Sequence, residues 1–238
     1  MTHNDILIIG DSYAENQGTG MWPNLLCERL TGHSGGMPRG RGFGGGSWWA
    51  VRNLLLKELA NHVPQVLILV HTDPYRLPDA HGYSISMKWA VTAGLNTDNL
   101  YTPQQLEEKG QASKAYYEHL FFPEYHDWAQ LAWFREVDTI IEQHQIPYVI
   151  HMMIYPFTPK MDYEFGTGIT ITERLNNHCN TASEYYATNH YTAQGNQIKA
   201  QCLHRLIVST EPFSKGLRSL RLEENGLPPV NEKTWTPE

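Results

Sequence analysis

Three short apolar runs constrain this chain more than anything else in it: Ile6-Leu7-Ile8-Ile9, Val66-Leu67-Ile68-Leu69-Val70 and Tyr148-Val149-Ile150. None alternates polar with apolar residues, so each reads as a strand buried on both faces. Between the first two runs, Met21 to Leu30 reads as a short helix. Trp48, Val51, Leu54, Leu55 and Leu59 then recur at helical spacing behind Ser47, a residue suited to an N-cap. Trp133, Phe134, Val137, Ile140 and Ile141 mark a further amphipathic helix, ending before Pro147 and the third run. Ile198, Cys202, Leu203 and Leu206 mark a last one. Buried strands alternating with helices predict an α/β fold, a three-layer α/β/α sandwich around a central parallel sheet. In such sheets ligands bind beyond the carboxyl ends of the strands.

The 238 residues suit one domain, expected over 1–213, with an aromatic-rich insertion at about 79–128 and a polar tail over 214–238. The insertion reads as irregular. Its rings read first as a subsidiary core or a subunit interface, the latter implying a homo-oligomer, and otherwise as a lid or a wall for stacking sugars. Residues 31–46 hold eight glycines and read as a loop. That loop matches neither a phosphate-binding lysine motif nor a dinucleotide fingerprint. Lys+Arg 18 against Asp+Glu 25 gives a net charge of −7, which argues against a nucleic-acid partner. The longest apolar runs are about five residues, against the roughly 20 a membrane span needs. Asp5 stands where a signal peptide would be basic, so a cytoplasmic protein is expected. Cys27, Cys179 and Cys202 are an odd, widely spaced set that fits a reducing compartment. No metal-ligand spacing is present, and no cofactor is expected.

Two polar clusters stand where a site should be. Gly10-Asp11-Ser12 follows the first run directly, so Ser12 would be exposed at a strand–turn junction. A serine becomes nucleophilic when a base takes its proton and donors hold the oxyanion. Local sequence alone favours the simpler reading of Asp11 or Ser12 as a turn or cap residue. The second cluster, His71-Thr72-Asp73-Pro74-Tyr75-Arg76, follows the second run. Arg76 there suits an anionic group on a substrate, or a local ion pair with Asp73 that closes the loop. His190, just before the last helix, has a pKa suited to proton transfer.

Gly10-Asp11-Ser12 after an N-terminal strand, with His190 five residues before Gly195, resembles the SGNH/GDSL hydrolase superfamily. Gly45-Gly46-Ser47 and His71-Thr72-Asp73-Pro74 fall where that superfamily has its second and third blocks. The blocks resemble those of phage-encoded members, which would make the chain virus-encoded. The resemblance implies a flavodoxin-like sheet and a serine esterase, with Ser12 as nucleophile, His190 as base, and the backbone N–H groups of Ser12 and Gly46 on the oxyanion. Asp11, Ser47, His71, Thr72 and Arg76 would border the substrate. Two positions depart from the pattern. Asp73 replaces an oxyanion-binding Asn; an ionised carboxylate has no proton to donate, so as a catalytic residue Asp73 would stay protonated or orient another group such as Thr72 or Arg76. Ala187 replaces the triad acid, leaving Glu184, Asn189, a distant carboxylate or a Ser–His dyad.

The expected activity is therefore hydrolysis of a carboxylic ester, a small molecule or a carbohydrate O-acetyl group. The alternatives are a binding or accessory protein that keeps the fold, and acyl transfer to an acceptor other than water.

Overall fold

The computed structural model describes residues 5–14, 20–32, 38–40, 42–43, 46–78, 84–85, 102–153, 163, 165–172 and 193–209. The three apolar runs form β1 (Ile6–Asp11), β3 (Val66–His71) and β6 (Tyr148–Met153), and every residue of all three is buried. They pair in parallel in the order β1, β3, β6. A fourth strand, β7 (Ile169–Thr172), joins beyond β6, also in parallel. A two-residue strand, β2 (Gly42–Phe43), lies against the far side of β1. The order across the sheet is β2-β1-β3-β6-β7. The chain thus runs from β1 outward to β2 and returns on the other side of β1 to form β3. The reversal point, where ligand crevices open in such sheets, is at the carboxyl ends of β1 and β3.

Five helices are described: α1 (Trp22–Thr31), α2 (Trp48–Asn61), α3 (Pro103–His119), α4 (Pro123–His144) and α5 (Ala193–Ser209). Because successive strand residues point to opposite faces, each buried strand feeds two cores. Ile6, Ile8, Ile68, Val70, Ile150 and Met152 pack with Trp22 and Leu26 of α1 and with Leu203 and Ile207 of α5. Leu7, Ile9, Leu67, Leu69, Val149 and Met153 pack with Val51 and Leu55 of α2 and with Phe134, Val137 and Ile141 of α4. The result is a Rossmann-like three-layer sandwich. Each of these fully buried aliphatic side chains contributes about 1.5–3 kcal/mol over its exposed state, so the two cores together dominate the stability. Gly10 is required near the end of β1: a Cβ there would collide with Val70 Cβ and stand 3.1 Å from Ala14 Cβ.

Three expectations are corrected. Residues 103–119 of the supposedly irregular insertion form α3. Apolar periodicity does not reveal it because Ser113 is its one buried residue. What specifies it is its start: Thr102 Oγ1 accepts the Gln105 N–H, the Gln105 side chain accepts the Thr102 N–H, and Pro103 follows the cap. Likewise α4 begins at Pro123, ten residues before the stretch at Trp133 that signals it. β7 falls in a stretch read as polar, although Ile169-Thr170-Ile171-Thr172 alternates as a strand does. Of the remaining insertion, a short antiparallel pair is described, β4 (Leu77–Pro78) with β5 (Ser84–Ile85). The tail, 214–238, lies outside the described residues. No described helix is long and apolar enough to cross a membrane.

Candidate functional site

At the end of β1 the chain tightens into a single 3-10 turn, Ser12–Ala14. Asp11 makes this turn. Its carboxylate is wholly buried, and its Oδ1 accepts the Tyr13 N–H at 3.0 Å. Ser12 sits at the head of the turn, half-buried.

The buried charge on Asp11 is met by Arg76, whose Nη1 donates to Asp11 Oδ2 at 3.1 Å. The Arg76 side chain is 14% exposed. The same nitrogen lies 3.0 Å from Thr72 Oγ1 and 3.2 Å from the Gly46 carbonyl oxygen. Thr72 Oγ1 in turn donates to that carbonyl at 2.7 Å. Four residues from three separate segments are thereby drawn together at the reversal point of the sheet. The ion pair considered between Arg76 and Asp73 is realised instead with Asp11. Asp73 is engaged within its own loop. Its Oδ1 accepts the Tyr75 N–H at 2.9 Å, and its carbonyl accepts the Arg76 N–H at 3.3 Å. The loop after β3 is thus an Asx-type turn that carries Arg76 back over β1. Ser47 is buried and caps α2, its Oγ accepting the Ala50 N–H at 3.3 Å.

His190 lies outside the described residues, as do Glu184, Ala187, Asn189 and Gly45. The helix that follows His190 is anchored at the serine turn. Asn196, in the first turn of α5, accepts the Trp22 N–H at 2.8 Å, and the Trp22 indole N–H donates to the Tyr13 carbonyl at 2.6 Å. Three segments meet through one tryptophan: the turn holding Ser12, the start of α1 and the start of α5.

His71 is buried rather than surface-lining, stacked 5.1 Å from Phe165 and edge-on to Phe134 at 4.9 Å. Its Nε2 is 3.1 Å from Nδ1 of His151, on the neighbouring strand. His151 Nε2 is 3.0 Å from the Thr167 carbonyl. A carbonyl only accepts, so His151 carries its proton on Nε2 and accepts from His71 Nε2–H. This assignment leaves both rings neutral and His71 Nδ1 without a hydrogen-bond partner among the described residues. Burial pushes His71 well below the ordinary imidazole range, and the neighbouring His151 adds to the shift. Burial likewise lowers His151, to about 4, against the opposing pull of Asp138 and of the Thr167 carbonyl. Asp138 accepts from Tyr163, Gly166 and Thr167, and so fixes the loop that supplies that carbonyl. Of this network the sequence reading of the site named His71 alone, and His151, Asp138, Phe165 and Thr167 lie outside it. The network's one further signal is His151 inside an otherwise apolar strand.

A second set of contacts grips the site loop from the last turns of α3 and the first turn of α4. The Tyr117 hydroxyl donates to the Tyr75 carbonyl at 2.6 Å. His126 Nδ1 stands 3.3 Å from the Pro74 carbonyl, which makes Nδ1 the protonated nitrogen, and Nε2 accepts from the Tyr116 hydroxyl at 2.9 Å. Among the described residues, no group of three or more His, Cys, Asp or Glu side chains converges to hold a metal ion.

No family model, curated protein or solved structure matches this chain. What the fold shows is an α/β protein whose parallel sheet has four main strands and the two-residue β2 at its edge, with no family identified.

Proposed function

We propose that the protein is a serine hydrolase of the SGNH type, acting on a carboxylic ester of a small molecule or a carbohydrate. The observation that carries this reading is the junction through Trp22, which ties the start of α5 to the turn headed by Ser12. A base three residues before Ala193 belongs beside that turn if it is to take the Ser12 proton. Numbering the parallel strands in chain order gives 2-1-3-4-5, the order of flavodoxin-like sheets, which further supports the resemblance. In this mechanism His190 deprotonates Ser12, Ser12 attacks the acyl carbon, and the N–H groups of Ser12 and Gly46 receive the oxyanion. The adduct collapses to the acyl-enzyme as the ester C–O bond breaks and His190 passes its proton to the leaving alcohol. Water then releases the acyl group. Arg76 and Thr72 act on this arrangement by holding the Gly46 carbonyl, which orients the peptide at the head of α2. The carboxylate of Asp73, turned to its own loop, is spared the donor's role that it could not fill when ionised.

The test is labelling by a fluorophosphonate probe, which reacts with an activated serine and mimics the tetrahedral state. Wild type is expected to label, and Ser12→Ala and His190→Ala are expected to lose labelling at least a hundredfold while keeping their circular dichroism. A folded wild-type protein that neither labels nor turns over aryl esters would sink the reading. One observation favours a second reading, a binding protein on the same fold: no side chain of Asn type stands in the loop after β3. That reading expects ligand binding indifferent to Ser12→Ala.

A further inference from the structure

The connection between α3 and α4 forms a tip that turns four large apolar side chains to solvent within nine residues of sequence. Leu120 is 70% exposed, Phe122 59%, Tyr125 52% and Trp128 63%. They are not loose ends. Phe121, between the first two, points inward, stacking on His126 at 5.0 Å and meeting Tyr75 edge-on at 5.4 Å. His126, between Phe122 and Trp128, is buried and held by Tyr116 and the Pro74 carbonyl. With Phe121 and His126 locked inward, their neighbours are fixed outward. Tyr125 and Trp128 are neighbours, their ring centroids 6.1 Å apart and their planes inclined by 32°.

We propose that this tip is a self-association surface, packing on the same tip of a second copy about a two-fold axis. Two features favour a second copy over another occupant. The first is size. An aromatic side chain presents roughly 150–250 Å², so four large side chains at these exposures offer on the order of 400–500 Å². With the surrounding residues this approaches the roughly 800 Å² per partner of a standard interface, at its weaker end. The second is charge. The rim carries both signs close together: Lys114 lies 3.8 Å from Glu118, and Glu124 follows in the first turn of α4. Rotated by a two-fold axis, such a rim can set cation against anion, whereas a partner of one sign would meet like charge. The same tip holds the loop after β3 through Tyr117 and His126, so pairing would stiffen the loop that carries Arg76.

Sedimentation velocity over a concentration series on the full chain tests this. The expected result is a concentration-dependent shift from the 27.3 kDa monomer toward twice that mass, with a micromolar dissociation constant. Trp128→Glu and Phe122→Glu should each weaken it roughly tenfold or more. Val63→Glu, an equal change at an exposed apolar residue on the α2–β3 connection, should leave it unaltered. Circular dichroism establishes that each variant is folded, and either tip variant suffices should the other misfold. A chain monomeric into the high micromolar range would overturn the proposal. So would a dimer indifferent to the tip variants.

Discussion

Among single residues, the pairing of Asp11 with Arg76 decides the shape of the site. The carboxylate is wholly buried and its cationic partner nearly so. Removing one member of such a pair strands the other charge in a poorly solvated place, which typically costs about 3–5 kcal/mol. Arg76→Met is therefore expected to lower stability in urea by that order, far more than loss of an exposed ion pair such as Lys114–Glu118, worth well under about 1 kcal/mol. Arg76→Lys should recover part of the loss, since it restores charge without the planar fork. An Arg76→Met variant as stable as wild type would show that Arg76 does not organise the end of β1. The residues at this junction were legible in the sequence, because Asp11, Ser12, Thr72 and Arg76 all follow buried runs. Their partners were not. Whether Arg76 meets Asp73 three residues away or Asp11 sixty-five away depends on which strands are neighbours, and that is a tertiary fact. Ser47 shows the converse: its local reading as a cap agrees with the structure, because a cap is made within one turn of chain.

Among the elements, α2 and α3 both begin with capping side chains but differ in what else holds them. α2 buries Val51, Leu55 and Leu59 in a core, whereas α3 buries only Ser113. Substituting either cap costs about 1 kcal/mol. In α2 that cost falls on an element held by the sheet, so Ser47→Ala should lower global stability by about that amount and leave the helix formed. In α3 tertiary packing contributes less, and a loss of the same size is a larger share of what orders the helix. Hydrogen exchange should therefore show α3 as the least protected of the described helices, and Thr102→Ala should speed its exchange severalfold without altering β1, β3 or β6. Exchange in α3 as slow as in α2 would contradict this. The same contrast explains what periodicity could see. α2 and the second half of α4 were visible because their apolar faces meet a core. α3 was hidden because its face is polar, although Thr102-Pro103 and Gln105 were present as a start signal.

Across the fold, the two cores do not close over apolar side chains alone. On the α2–α4 side the apolar layer contains His71 and His151, neutral and hydrogen-bonded to each other. Folding places both in surroundings that disfavour the imidazolium, so their folded-state pKa values lie below those of the unfolded chain, near 6.5. The sign follows from proton counting. Well above pH 6.5 neither state binds a proton at these rings, and the pair has no linkage effect. As pH falls, the unfolded chain takes up protons that the folded chain refuses, and stability drops with a slope approaching about 1.4 kcal/mol per pH unit for each ring. For His151 the loss continues down to about pH 4, where the folded state also accepts its proton. Between pH 7 and pH 5 the His151 ring should therefore remove about 2 kcal/mol, a large part of a stability of about 5–15 kcal/mol, and His71 acts in the same direction. Groups facing the pair, notably Asp138 with its three donor residues, oppose the shift of His151 without reversing it. Urea unfolding at half-unit steps from pH 7.5 to pH 4.5 should show a midpoint that falls steadily below pH 6.5. His71→Leu/His151→Leu, which removes both partners together, should flatten that fall while leaving the limb below pH 5, where carboxylates begin to protonate. If the double variant kept the full slope between pH 6.5 and pH 5, the acid sensitivity of this fold would have to arise from histidines outside the sheet.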